Sequence, residues 1–184
     1  RWVDKFTDAR LHTAMLSRLE LSRDEWRDAG VLTLRKALDA SPDFARARRL
    51  LEAALAAEPA HTATLALFED VARRAHDDGM LLDFIERRAR LSGASAEDTR
   101  EGIELALRIG ELARAEKLLW RAAELVRAEP GPKGSATWVF SGLAECRLQA
   151  GDVRAAITHL QEAIEFASDA EQPDLHRELA QLAA

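Results

Sequence analysis

The residues of this 184-residue chain that could do chemistry are five histidines, one cysteine, scattered carboxylates and one glycine–lysine loop, and their spacing organises none of them into a reactive site. Glu58-Pro-Ala-His61 has the Glu-x-x-His spacing of di-iron helical bundles, where both side chains leave one helix face. Pro59 breaks the segment across a turn, so the two ligands do not share a face. No His-Glu-x-x-His occurs. Gly131-Pro-Lys-Gly-Ser135 holds the residue types of a phosphate loop, but the order Gly-Lys-Ser is missing and no strand precedes it. Cys146 stands alone, which excludes an internal disulfide and a multi-cysteine zinc site and leaves it the role of a small buried hydrophobe. Ser17 and Ser141 lack a nucleophile elbow, and pairs such as Glu101 and Glu104 read as a solvated helix face. The chain is therefore expected not to be an enzyme and to need no metal or cofactor.

Charge narrows the partners. Lysine and arginine number 26 against 32 acidic residues, a net charge of −6 that falls wholly in the half beyond Arg90. That balance lacks the basic face a nucleic acid requires. The uncharged stretch Gly134 to Ala144 is too short to span a bilayer, so no membrane insertion is expected. A single cysteine fits a cytoplasmic protein, although the chain opens on Arg1 and reads as a piece of something longer whose targeting signal would be lost. Twenty-two arginines to 4 lysines, with 36 alanines, point to a GC-rich bacterial genome.

The elements that must position any site are helices. Alanine (36) and leucine (27) dominate, valine and isoleucine together number 11, and tyrosine is absent, which favours helix and starves strands. Pro42, Pro59, Gly79, Gly93, Gly110, Pro130 to Gly134, Gly151 and Pro173 punctuate apolar patterns of helical period. Helices are predicted over 3–19, 22–40 (opened by a Ser22–Glu25 capping box), 42–58, 61–77, 80–91, 95–108, 112–128, 135–149, 153–168 and 174–183. The turns are short, so neighbouring helices run antiparallel. Trp26 and Trp120 are expected in the core, and Trp138 either in packing or as an anchor for a partner.

Helix pairs recur. With Pro42, Gly79, Gly110 and Gly151 as tight turns, Ala47, Ala115 and Ala156 fall five residues past a turn, Leu51, Leu119 and Leu160 nine past, and Ala54, Ala122 and Ala163 twelve past. Small–large–small at that spacing lets one helix approach another closely at two points. Gly151-Asp-Val-Arg-Ala-Ala-Ile157, followed by Leu160, Ala163 and Ile164, resembles the second half of a tetratricopeptide repeat, with Leu143 and Ala144 at the family's Leu-Gly pair. Ala47, Leu51, Ala54, Leu55 and Pro59 are similar to the same pattern, as are Ala115, Leu119 and Ala122. The likeness covers residues 28 to 168. It departs from the family at Phe84, Arg88 and Leu91 in the second unit and at Arg147, where an aromatic is usual.

The resemblance implies an all-α fold of antiparallel helix pairs stacked as a right-handed α-solenoid. Its parts are an N-terminal helix (1–27), repeats at 28–60, 61–94 (degenerate), 95–134 (with a loop) and 135–170, and a C-terminal capping helix (171–184). It also implies a non-catalytic scaffold that binds a protein or peptide on the concave face lined by the first helix of each pair. The inward positions are Leu32, Lys36 and Asp39, then Glu69, Arg73 and His76, then Arg100, Glu104 and Arg108, then Ser141, Glu145 and Leu148. Lys36, Arg73, His76, Arg100, Arg108, Glu145 and Trp138 are the candidate contacts, with guanidinium groups suited to an acidic partner. The competing reading is that these charges pair with each other at helical spacing, Glu69 with Arg73 and Glu104 with Arg100 or Arg108. The family's carboxylate clamp uses paired asparagines, and this chain has none. The alternative function is a structural spacer or regulatory repeat domain of a larger protein, and the oligomeric state is left open.

Overall fold

A computed structural model describes residues 23–183, and the predicted helix over 3–19 and the Ser22 cap lie outside the described residues. Among the described residues the chain is all-α, with nine helices and no strand. These are α1 (Arg23–Ala40), α2 (Phe44–Ala57), α3 (Thr62–Arg74), α4 (Asp78–Arg88), α5 (Glu97–Arg108), α6 (Leu112–Ala128), α7 (Thr137–Gln149), α8 (Val153–Phe166) and α9 (Gln172–Leu182). They divide into two compact units, one ending at His76 and the other beginning at Asp77.

In the first unit, α3 packs on both α1 and α2. Leu51 and Leu55 of α2 and Leu65, Phe68 and Val71 of α3 are buried at helical spacing. His61 is the residue that starts α3: its Nδ1 lies 2.7 Å from the Thr64 hydroxyl and accepts from the Thr64 amide. Glu58 turns instead to Arg27 at 3.6 Å, so the Glu-x-x-His spacing is spent on two separate structural contacts.

In the second unit each helix from α5 to α9 packs on the one before it. Helices α4, α6 and α8 also meet along one side, where Arg114 of α6 bonds Asp83 and Glu86 of α4 and Arg127 of α6 bonds Glu162 of α8. Helices α5 and α7 meet along the other side, through Arg100 and Trp138. Alanine, glycine and leucine set the spacing. Ala115, Ala122, Ala156 and Ala163 are fully buried, and a Cβ on Gly102 of α5 would meet Ile85 Cγ2 at 2.6 Å and Leu118 Cδ1 at 2.9 Å.

The turns correct the predicted spacing in one place. Gly110 and Gly151 adopt φ of 80° and 77° and end α5 and α7, with the amides of Glu111 and Asp152 reaching back to Ala106 and Arg147. This is the glycine-ended helix stop that satisfies the last carbonyls. The equivalent of these glycines in the second repeat is not Gly79, which lies inside α4, but His76, the one non-glycine residue with positive φ (51°) among the described residues. Asp77 follows it and caps α4 through the Met80 amide, as Asp43 and Asp152 cap α2 and α8. With His76 as the turn, Pro42, His76 and Gly110 stand 34 residues apart, the period of the family that the sequence resembles. Leu81 and Ile85 then occupy the buried positions sought at Phe84 and Arg88. The predicted helix over 61–77 stops earlier for the same reason, and Ala54 is half-buried rather than buried.

From Gly110 to Gly151 the interval is 41, and the surplus is the loop before α7. That loop is fastened. The Gly134 amide donates to the Phe166 carbonyl at 2.7 Å, and Glu171 Oε2 accepts from the Ser168 amide and hydroxyl and from Thr137 Oγ1. Gly134 has φ of 88°, and a Cβ there would lie 3.1 Å from that same Glu171 oxygen, so only glycine suits the position.

Candidate functional site: the α5–α7 surface

The candidate contact residues separate by unit. Lys36 is exposed on α1, and Leu32 and Asp39 of the same helix are exposed as well, with Asp39 held by Arg74 at 3.1 Å. Arg73 of α3 bonds Glu69 at 2.9 Å, the intrahelical pairing that its spacing allowed. His76 is corrected: it is exposed in a turn and not on a helix face, because the chain reverses there in the left-handed conformation.

In the second unit the structure brings two candidates together. The Arg100 guanidinium of α5 lies over the Trp138 indole of α7, 5.2 Å from the ring centroid. The Trp138 Nε1–H donates to the Ser135 carbonyl at 3.1 Å, which fixes the ring against the start of its own helix. Arg100 also reaches Glu97 at 3.3 Å and Glu104 at 3.8 Å, both long for charge-assisted hydrogen bonds, and its side chain is 49% exposed. A guanidinium stacked on an indole keeps its in-plane N–H donors for a further acceptor. Ser141, one helical turn on from Trp138, is half-buried, and Glu145, a turn further, is exposed with the Gln149 amide 3.5 Å away.

Arg108 does not join this group through the expected Glu104. It bonds Asp78 of α4 at 3.3 Å, a partner thirty residues away that helical spacing cannot reveal. Cys146 is half-buried on α7, and its burial, with the Glu145 charge adding to it, pushes the thiol above its ordinary range, which suits an unreactive side chain.

Trp120 is the residue that sequence reasoning misplaced. It is 37% exposed, on the α4–α6–α8 side, with its ring edge-on to His159 at 5.2 Å and its Nε1–H donating to Glu116. The signal was available, since Lys117, Trp120, Arg121 and Glu124 follow each other at the three- and four-residue steps of one helix face, and that face is mostly charged. Glu116 also pairs with Arg147, whose Nε is buried without a partner.

This arrangement is a helical repeat array with a mixed-charge surface and, among the described residues, no cluster of three potential metal ligands. No helix among the described residues is long and apolar enough to cross a membrane. The tetratricopeptide repeat family model matches residues 103–169, a stretch that runs from within α5 to just past the end of α8. Repeats of this family are scaffolds for protein–protein interaction. A solved structure described as the crystal structure of MamA protein is similar at 17% identity and a TM-score of 0.43, over 84% of this chain and 87% of that chain. No curated protein matches the chain.

Proposed function

We propose that the chain is a non-catalytic scaffold that holds a segment of another protein on the α5–α7 surface, with Arg100 and Trp138 as its centre. The observation that carries this reading is the Arg100 guanidinium over the Trp138 ring, which joins the first helices of two successive repeats and sets an indole and guanidinium donors side by side. Tryptophan and arginine are the residue types that concentrate binding energy at interfaces. A peptide carboxylate would take the donors that Glu97 and Glu104 hold only at long range, and an apolar neighbour would cover the indole. Glu104 and Glu145 on the same helices disfavour a uniformly acidic segment and favour one carboxylate set among neutral residues.

The test is selection of peptides from a display library against the full chain, followed by titration against Arg100→Ala and Trp138→Ala. Each variant is expected to weaken the selected peptides, Arg100→Ala more at low salt than at high. Selected peptides that bind both variants as tightly as the parent protein would place the site elsewhere.

A further inference from the structure

A second surface lies on the opposite, α4–α6–α8 side of the second unit. A shallow groove of about 260 Å³ runs between the C-terminal end of α4 and the outer face of α6, with Leu118 and Ala89 on its floor and Trp120, Lys117, Arg121 and Arg90 along its sides. Its electrostatics are unbalanced in a specific way. Glu86, only 14% exposed, is the shared acid of the groove. Its Oε1 is taken by Arg114 at 2.6 Å. Lys117 and Arg90 both reach for the remaining Oε2, at 3.3 and 3.8 Å, and their side chains are 58% and 61% exposed. The other acid, Glu124, faces Arg121 at 2.9 Å. One half-buried carboxylate oxygen thus serves two solvent-facing cations, both beyond the roughly 2.7–2.9 Å of a strong charge-assisted hydrogen bond. Beside them stands an indole that is more than a third exposed and held in place by His159 and Glu116.

We propose that this groove is an interaction surface for an acidic peptide segment of a protein partner, which sets a carboxylate between Arg90 and Lys117 and an aliphatic side chain against Trp120. Charge complementarity supports it. The groove is cationic at its rim, although the half of the chain beyond Arg90 carries the whole net charge of −6. A carboxylate delivered between the two cations shortens contacts that Glu86 cannot complete, and the apolar floor gives a neighbouring Leu or Ile side chain a place out of water. This surface is separate from the α5–α7 face and stands whether or not that face binds anything.

The experiment is an NMR titration of the ¹⁵N-labelled full chain with the capped peptide Ac-Glu-Leu-Asp-Glu-NH2. Its neutral analogue Ac-Gln-Leu-Asn-Gln-NH2 and its basic analogue Ac-Lys-Leu-Lys-Lys-NH2 are run in parallel at low ionic strength. The acidic peptide is expected to shift the Trp120 indole N–H and the Ala89 and Lys117 amides saturably, and to bind at least tenfold more tightly than either analogue. Lys117→Met combined with Arg90→Met, which keeps the aliphatic stems and the fold by circular dichroism, is expected to cost at least tenfold in affinity. Shifts that centre on Trp138 instead of Trp120, equal binding of the basic peptide, undiminished binding by the double variant or no saturable shift at all would each overturn the proposal.

Discussion

Replacing Gly102 by alanine sets two well-known effects against each other, and the geometry says which wins. Gly102 lies inside α5, where alanine is favoured over glycine by about 0.5–1 kcal/mol of backbone entropy. The new methyl would sit 2.6 Å from Ile85 Cγ2 and 2.9 Å from Leu118 Cδ1, whereas ordinary contact is 3.4–4 Å. Both neighbours are 2% exposed, one on α4 and one on α6, so neither can swing into solvent. Overpacking of this kind costs about 1–3 kcal/mol, which exceeds the gain. The expected result is a net loss of roughly 0.5–2 kcal/mol, or a few degrees in melting temperature for a chain of this length. Gly30 in α1 is the control, because a Cβ there meets nothing within 4 Å. Gly30→Ala is expected to stabilise by about 0.5–1 kcal/mol. Urea melts followed by circular dichroism read both signs. A Gly102→Ala protein as stable as its parent would refute the close approach of α4, α5 and α6, and with it the reason for glycine at that position.

Three further expectations follow from the same structure. His76→Gly removes a left-handed strain of about 1 kcal/mol and is expected to raise the urea midpoint; a lowered midpoint would mean that the imidazole makes contacts worth more than the strain. Ala156, fully buried on α8, is expected to reject leucine at a cost of about 1–3 kcal/mol, and unchanged stability of Ala156→Leu would refute the repeat register. Burial tends to raise the Glu86, Asp98 and Glu162 carboxyls. It is outweighed by Arg114 and Lys117 at Glu86, by the Ser95 amide and hydroxyl with Arg88 at Asp98, and by His159 and Arg127 at Glu162, so all three titrate below their ordinary values. The Ser168 hydroxyl and amide lower Glu171 in the same direction. A depressed folded value contributes stability that is full above the ordinary carboxylate pKa and is lost as pH falls through the folded one. The melting temperature is therefore expected to be flat near neutrality and to fall on the acid side of the ordinary carboxylate range, and a flat profile down to pH 2.5 would contradict these pairings.

What could be read in the sequence was whatever is local. Small–large–small at Ala115, Leu119 and Ala122, and at Ala156, Leu160 and Ala163, reports helix packing directly, and all six are buried. Gly110 and Gly151 announced their turns because glycine is the usual residue at a left-handed helix stop. The second repeat was misframed because its turn residue is a histidine, while a nearby glycine, Gly79, sits where a turn was sought and is helical instead. Charge pairs obeyed the same limit. Glu69 with Arg73 follows from four-residue spacing, but Arg108 with Asp78 and Arg114 with Glu86 join different helices and depend on how repeats stack. The Arg100–Trp138 pair belongs to that second class: both residues were picked out singly, and their stacking arises only from the meeting of α5 and α7. Trp120 borders the apolar face of its helix, which points to the core, but its charged helical neighbours are the better guide to its 37% exposure.

The central claim, that the α5–α7 surface receives a peptide segment, is tested most directly by site-specific photo-crosslinking. A benzophenone amino acid is placed at Ser141, one helical turn from Trp138 on α7, and in a second protein at Arg154, which is exposed on α8. The display-selected peptide is then irradiated with each protein. A crosslink is expected at position 141, abolished by Trp138→Ala, and none at position 154. A crosslink at 154 with none at 141 would contradict it.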